Sequence, residues 1–454
     1  MAARSNVRLG IRRRRPLART FLQLSVVANA ALILTLWIAD GAAGHATEST
    51  SALLIATGEV TALFGTALAL VGMVLMARVP IIERNFGETS ARDHGRIGVA
   101  AVLLLCVHVV STVAGFALAD GNAILDETAT VILTYPWMLA AAVAMTMFLV
   151  IGVTNIPAVR HRLSFETWSG LHLYAYLAMI LGLGHQLAVG SDFIDHPFTR
   201  AYWVGLFVVV FVLVAVFRVA APIILFARHQ FRVDRVVLES GDVVSIYVSG
   251  RRLERLPVKA GQYFRFRLLV RNEWWRCHPF SISAEPDGNF LRFTVKSLGD
   301  FSERLQNLKP GSRVMLEGPC GALTTDIRRR SRVALIAGGI GVTPLRALFE
   351  EFAGKIDVKM IYRATSPRDA VFSEELEELA ARPGAEVAYL VGKRGNPNMP
   401  ENPLSPAIIA SIVPDIASRD VYVCGPLAMM QAVFESLREL GVPSDNIHSE
   451  RFAA

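Results

Sequence analysis

Four histidines stand inside long apolar stretches of this sequence: His94 and His108, 14 residues apart, and His172 and His185, 13 apart. Ionisable residues in such surroundings are costly to keep and mark functional positions. On helices rising about 1.5 Å per residue these intervals correspond to roughly 20 Å, most of the ~30 Å hydrocarbon thickness of a bilayer. Each helix therefore offers one imidazole near each membrane face. The two helices are the third and fifth apolar runs and share a direction, so His94 lies level with His172 and His108 with His185. Two imidazoles at one depth suit a haem iron, whose porphyrin body fits an apolar bundle. Zinc ordinarily takes four N or S ligands, and no thiolate pair accompanies these residues. The expectation is two stacked bis-histidine sites for haem b. Fourteen residues return to nearly the same helix face, whereas thirteen leave His172 and His185 roughly 140° apart. A bend or wide turn eased by Gly182 and Gly184 is therefore expected between them.

The elements that carry these residues follow from hydropathy. Of 454 residues, 53% are hydrophobic and 19% charged, with mean hydropathy +0.42, which excludes a disordered chain and a wholly soluble one. Six runs are long enough to cross a bilayer: 21–39, 60–77, 97–119, 128–153, 167–191 and 201–217. The first, at 19 residues, exceeds a secretory h-region and reads as an uncleaved anchor. Arginines crowd the N-terminus (Arg4, Arg8, Arg12 to Arg15, Arg19), the second connection (Arg78, Arg84, Arg92, Arg96) and the fourth (Arg160, Arg162). The first, third and fifth connections hold only Arg200. Basic residues gather on the cytoplasmic side, so a multi-pass cell-membrane protein with both termini cytoplasmic is expected. The net charge of +7 is largely this bias, and no nucleic-acid partner is implied. Cys106, Cys277, Cys320 and Cys424 are too widely spaced for a disulfide framework or a zinc site. Glu59 reads as an interfacial residue at the start of the second helix, and His196, beside Asp192 and Asp195, as part of a solvated loop.

After Arg228 the pattern changes. Short alternating runs such as Val243 to Val248, Gln262 to Leu268 and Phe290 to Val295 suggest a small antiparallel barrel up to about Leu323. From Arg332, strands alternate with helices (Val333 to Ala337, Val358 to Tyr362, Val387 to Val391, Val421 to Cys424), the signature of a doubly wound parallel sheet. Its first strand runs into Gly338-Gly339-Ile-Gly341-Val-Thr343-Pro344. Glycines admit a pyrophosphate close to the backbone, Thr343 suits an N-cap, and Pro344 suits the first helical position. Arg363 and Arg368 after the second strand, in place of an acidic residue, favour NADPH over NADH.

Six ordered motifs carry a resemblance: Arg276-Cys-His-Pro-Phe-Ser-Ile-Ser283, Val295-Lys-Ser-Leu-Gly-Asp-Phe-Ser302, Gly318-Pro-Cys-Gly321, the Gly338 loop, Val423-Cys-Gly-Pro426 and Glu450-Arg-Phe452. The series resembles the ferredoxin-reductase-like flavoproteins. Joined to six helices with paired histidines, the chain resembles the NADPH oxidase and ferric reductase superfamily over about residues 50–454. The resemblance implies FAD bordered by His278, Pro279, Phe280 and Ser281, with Ser281 at its reactive edge. Gly299 and Ser302 would hold the FAD pyrophosphate, and Cys424, with Gly425 and Pro426, would lie near the nicotinamide. Phe452 would cover the flavin until the nicotinamide displaces it. Two departures stand out: His278 occupies a position where many soluble relatives have Arg, shifting phosphate neutralisation toward Arg276, and two alanines follow Phe452. The expected domains are a basic N-terminus (1–20), a haem-binding membrane domain (21–228), a FAD barrel (229–328) and an NAD(P)H domain (329–454). Electrons would pass from NADPH through FAD and two haems to a small-molecule acceptor at the outer face, either oxygen, giving superoxide, or ferric chelates. A reductase feeding a membrane quinone or protein partner is the alternative enzyme. A haem-binding sensor or carrier is the alternative of another class.

Overall fold

Apolar residues in uninterrupted series, without internal proline, form the helices Leu17–Ala39 (α1), Thr50–Met76 (α2), Thr89–Asp120 (α3) and Phe165–Val189 (α6). Ile124–Thr134 (α4) and Met138–Thr154 (α5) precede α6, and Pro197–Val214 (α7) follows it. The structure is a computed structural model that describes residues 17–86, 89–271, 274–393, 395 and 399–450. It divides into two units, Leu17–Arg218 and Val219–Ala454.

Among the described residues five helices are long and apolar enough to cross a membrane: Arg19–Ala39, Thr50–Met76, Thr89–Asp120 and Glu166–Val189 in the first unit, and Pro197–His229, which runs on past Arg218. The fourth apolar run, expected as one helix over 128–153, is instead broken into α4 and α5, whose axes meet at 116°. The cause is local. Pro136 lacks an amide hydrogen and drives the residue before it out of the helical region. Tyr135 is accordingly extended at φ −85°, ψ 139°, and Trp137 is left-handed at φ 62°. The count of spans is six only when this bent pair is one of them. The last span runs beyond the expected 201–217 and contains a π-helical segment, Ala215–Ala220.

Helices α2 and α3 are antiparallel and meet along a seam of seven-residue steps. Ser51, Gly58, Gly65 and Gly72 of α2 face Gly115, His108, Ala101 and His94 of α3. The approach is close: a Cβ on Gly65 would lie 3.2 Å from the Leu105 side chain, and one on Gly115 2.7 Å from Ile55 Cγ1. In lipid, where apolar burial does not drive helices together, small residues that admit such contact are what hold them. Polar links add to this, since Gln186 on α6 donates to Thr66 Oγ1 (2.9 Å) and accepts from Trp203 Nε1 on α7 (2.7 Å).

The second unit holds two three-stranded antiparallel sheets and one parallel sheet. The strands are Arg232–Ser240 (β1), Val243–Ser249 (β2), Tyr263–Leu268 (β3), His278–Ser281 (β4), Phe290–Lys296 (β5) and Val314–Cys320 (β6), followed by Arg332–Gly338 (β7), Asp357–Ala364 (β8), Ala385–Val391 (β9), Asp420–Cys424 (β10) and Ile447–Ser449 (β11). The antiparallel sheets have orders β1-β2-β5 and β4-β3-β6. Where a barrel was expected, the described residues form two separate three-stranded sheets, linked at their edges by the isolated bridges Arg232 with Arg313 and Ile282 with Phe293 and by neighbouring backbone hydrogen bonds such as Val314 N to Phe231 O (3.2 Å). Between them lies a core of Ile246, Phe264, Phe266, Ile282, Phe293 and Leu316. The parallel sheet has the order β11-β10-β7-β8-β9. After β7 the chain winds outward through β8 and β9, then returns to the other side of β7 as β10. The switch point between β7 and β10 opens a crevice at their carboxyl ends. Buried Arg292 on β5 and Arg346 pair with Glu375, tying the antiparallel sheets to the parallel layer.

The seam yields a paired prediction. Gly65→Val adds branched volume where a Cβ already meets Leu105, and should destabilise the first unit by about 1–3 kcal/mol. Gly98→Ala, on the same helix as His94 but facing open space, should be neutral or stabilising by up to ~1 kcal/mol. Thermal unfolding of the purified protein in detergent measures both.

Candidate functional site

The seam fixes the histidines of α3. His94 Nδ1–H donates to the Gly72 carbonyl (3.0 Å) and His108 Nδ1–H to the Gly58 carbonyl (2.9 Å). A carbonyl at Nδ1 sets the tautomer and leaves Nε2 as the free lone pair. On α6 the His172 ring lies 5.7 Å from that of His94, nearly perpendicular at 70°. It also stacks on Trp168 at 5.4 Å, itself covered by the Arg160 guanidinium at 4.5 Å. The Nδ1 atoms of His172 and His185 are buried and make no hydrogen bond. The structure thus brings His94 and His172 together. His185 is within electrostatic range of His108.

Helix α6 is α-helical throughout, so the wide turn expected near Gly182 and Gly184 is not there. Gly184 has another job: a Cβ on it would lie 2.6 Å from Trp137 Cε3, so the indole left by the α4–α5 break lies against the helix at this point. Sequence reasoning also missed Arg218. It sits in the π-helical segment, donates to Met76 O (3.4 Å) and to the Tyr176 hydroxyl (3.3 Å), and acts electrostatically on both His94 and His172. A lone arginine ending an apolar run, in a helix type that recurs at functional sites, was the available signal. Imidazoles whose Nδ1 is bonded to a helical carbonyl, leaving Nε2 as the ligating atom, an orphan Nδ1 on the histidine opposite and the guanidinium of Arg218 form a donor set that fits haem.

In the second unit the crevice is lined by the loops after β7 and β10. These loops press together: a Cβ on Gly341 would lie 2.6 Å from the Cys424 carbonyl oxygen, and one on Gly338 2.1 Å from Met429 Sδ. Gly338 and Gly341 are therefore consumed by packing. Gly339, at φ 52° with nothing within 4 Å of its missing Cβ, is the glycine that leaves space for a ligand. The helix after it, Val342–Phe352, starts one residue before Thr343, so Thr343 and Pro344 are its second and third residues, not the expected N-cap and first position. Thr343 is buried and its hydroxyl donates to Ile340 O (3.0 Å). Cys424 is buried at the end of β10, with Gly425 and Pro426 turning the chain over it. Arg363 spends its guanidinium on carbonyls at the end of β9, Leu390 (3.0 Å) and Gly392. Arg368, by contrast, is exposed in the turn Pro367–Asp369.

On the antiparallel sheets, Ser281 ends β4 buried opposite Tyr263, and Tyr263 also pairs with Cys320. His278 stacks on Phe301 (4.3 Å, 26°), and Phe280 lies parallel to the same ring at 6.4 Å. Pro279 between them is exposed. Phe301 belongs to the short helix Asp300–Gln306, whose start is closed by Ser302 Oγ, accepting from Leu298 N (2.8 Å) and Gly299 N (3.0 Å). The Glu450 carboxylate reaches this sheet, lying 2.9 Å from where a Cβ of Gly321 would be. Phe452 lies outside the described residues.

An apolar helical unit with facing histidines, joined to antiparallel and parallel nucleotide-binding sheets, defines a membrane-associated oxidoreductase. Residues 61–183 match the ferric reductase like transmembrane component family, 228–324 a FAD-binding domain and 335–435 the oxidoreductase NAD-binding domain. With these three in order, the chain belongs to the NADPH oxidase/ferric reductase superfamily. Over half of its length it is similar to the glycine betaine monooxygenase reductase subunit of Chromohalobacter salexigens (29% identity, 50% of this chain) and to flavohemoprotein A of Dictyostelium discoideum (28%, 49% of this chain). The chain spans 65% and 60% of those relatives' lengths. Among solved structures it is similar to the FAD/NAD-binding domain of nitric oxide dioxygenase from Vibrio cholerae (27% identity, 48% of this chain, 96% of that chain, TM-score 0.43). It is also similar to a flavohemoglobin from Malassezia yamatoensis (22%, 89% of this chain, 99% of that chain, TM-score 0.46).

The two arginines separate experimentally. If Arg368 meets a 2′-phosphate, as the sequence suggests, Arg368→Ala should leave thermal stability unchanged and raise the KM for NADPH about tenfold, the equivalent of ~1.4 kcal/mol. Arg363→Ala should lower stability by about 1 kcal/mol, because it strips donors from the half-buried carbonyls of Leu390 and Gly392. Steady-state kinetics beside thermal unfolding of both variants gives the comparison.

Proposed function

We propose that this protein moves electrons from cytosolic NADPH to a small-molecule acceptor at the outer face of the cell membrane, oxygen or a ferric chelate. The observation that carries the reading is the facing pair His94 and His172, 5.7 Å apart, on a chain that also carries a nucleotide crevice. Bound together, NADPH, FAD and two b haems supply the conversion of a two-electron donor into single electrons that cross the bilayer. The chain's residues do the holding. His94 and His172 would ligate one haem and His108 and His185 the other, with Arg218 offering positive charge to carboxylates of the haem nearer His94. His278, Pro279, Phe280 and Ser281 would border the flavin, the Ser281 hydroxyl at its reactive edge and the amides around Gly299 at its pyrophosphate. Ser302 acts there by shaping that turn. Open space at Gly339 would admit the nicotinamide nucleotide's pyrophosphate, with Gly338, Gly341, Thr343 and Pro344 building the loop. Arg368 would meet the 2′-phosphate, while Arg363 braces the strand ends beside it. Cys424, Gly425 and Pro426 would floor the nicotinamide end, and Phe452 would cover the flavin when that end is vacant. The domains proposed are 21–228 for haem, 229–328 for FAD and 329–454 for NADPH, with the termini and flavin module on the arginine-rich cytoplasmic side. Conversion of nicotinamide electrons into single electrons has little use in a sensor or carrier, which disfavours that alternative.

The test is optical. Purified protein should show two low-spin haems and oxidised flavin, all reduced by NADPH under anaerobic conditions, and separate addition of oxygen and ferric citrate should reoxidise them at rates that name the acceptor. His172→Ala and His108→Ala should each remove about half of the haem absorbance; unchanged haem content in either would refute the ligand assignment.

A further inference from the structure

A second cluster of ionisable groups lies at the end of the helical unit that carries His108 and His185. Asp40 follows α1, Glu59 stands on α2 beside Gly58, Asp192 lies in the short helix Ser191–Ile194 after α6, and His196 precedes α7. These are not the solvated loop and helix start that the sequence suggests. Helix α2 begins at Thr50, so Glu59 is more than two turns inside it. Three of the four groups are partnered. His196 Nδ1 is 3.0 Å from Asp40 Oδ1, and Thr199 Oγ1 donates to Asp40 Oδ2 (3.1 Å). Trp37 Nε1 and Ser191 Oγ both donate to the Glu59 carboxylate, at 3.2 Å each.

Asp192 differs. It is 6% exposed, and among the described residues its carboxyl makes no hydrogen bond or ion pair. It borders a small, largely apolar pocket of about 10 Å³ lined also by Ile33, Leu63, Phe193, Thr199 and Trp203. The charged and titratable groups around it are Glu59 from α2, Asp40 after α1, His196, and Tyr202 on α7, whose hydroxyl accepts from Asn29. The neighbouring cation, Arg200, is occupied by the carbonyls of Leu187 and Phe193, at 3.4 Å each. A carboxylate with no donor, beside two others, is costly to keep charged. Burial, reinforced by Glu59 and Asp40 and opposed by His196, pushes the Asp192 carboxyl up to about 6.

We infer that Asp192 is a proton-binding site whose occupancy follows the redox state of the His108 and His185 end of the bundle. When one electron arrives there, the Asp192 carboxylate takes one proton from water, forming an O–H bond and cancelling the added charge. When the electron leaves for the acceptor, that O–H bond breaks and the proton returns to water at the outer face or to the reduced acceptor. This inference rests on the haem reading above.

Its test uses the full chain in detergent or nanodiscs. The midpoint potential of one haem should fall with rising pH above about pH 6, where the Asp192 carboxyl is charged until the electron arrives, approaching tenfold in the reduction equilibrium, or 59 mV, per pH unit. Asp192→Asn should flatten that slope, while Asp192→Glu and the exposed Asp195→Asn should keep it. An infrared band of a protonated carboxyl, present at pH 5 and absent in Asp192→Asn, reports the proton without reference to haem. A slope equal to wild type in a folded, haem-loaded Asp192→Asn, or an unchanged infrared band, overturns the inference. Wild-type protein without haem absorbance overturns the function reading instead, and the infrared band then still decides whether Asp192 holds a proton.

Discussion

Two hydrogen bonds, from the Nδ1–H groups of His94 and His108 to the carbonyls of Gly72 and Gly58, set the terms for the helical unit. A helical carbonyl is already engaged with its own helix, and it can take a second donor only where no side chain blocks the approach. Glycine at both acceptor positions provides that access. The histidine interval and the glycine interval are both 14 residues, so the same seven-residue register satisfies both bonds at once. Once α3 is locked this way, its Nε2 atoms have one direction left, and α6 must present its own histidines from the other side. Gln186 anchors α6 one residue beyond His185, to Thr66 and Trp203.

The second unit is organised around a different constraint, the pressing together of two loops at the β7–β10 switch point. Parallel strands place their carboxyl ends side by side, and connections leaving in opposite directions open a crevice there. Here the backbone at Gly341 and Cys424 comes so near that neither loop can move without the other. The same unit ties its antiparallel sheets to its parallel layer through Arg292, Arg346 and Glu375, and Arg292 and Arg346 also hold the Ser283 carbonyl just beyond Ser281. Residues drawn from distant parts of the sequence are thereby kept in one fixed frame.

Much of this was legible beforehand, and the gaps have physical reasons. The histidines, the Gly338 loop and four of the five parallel strands were visible because each rests on local pattern. Ile447–Ser449, at three residues, is too short to carry a period. The break at Tyr135 to Trp137 was overlooked because hydropathy counts side chains, whereas Pro136 acts on the backbone. The facing glycines were equally readable, yet a seam is a property of two helices, and a pattern sought within one helix does not reveal it. Asp192 was read as solvated because it lies in a connection between two apolar runs, beside Asp195 and His196. Its burial comes from α1, α2 and α7, about which its own segment carries no information.

The broken α4–α5 pair bears on the surrounding lipid. Helix α5 has 17 residues and so a length of roughly 26 Å, less than the ~30 Å of an average hydrocarbon core, while α3 with 32 residues exceeds it. One bundle thus combines a short wall and a long one, and such hydrophobic mismatch is met by thinning of the bilayer beside the short helix and tilting of the long one. Trp137 at the top of α5 lies against Gly184, the residue before His185, so the short wall of the bundle meets α6 beside that histidine.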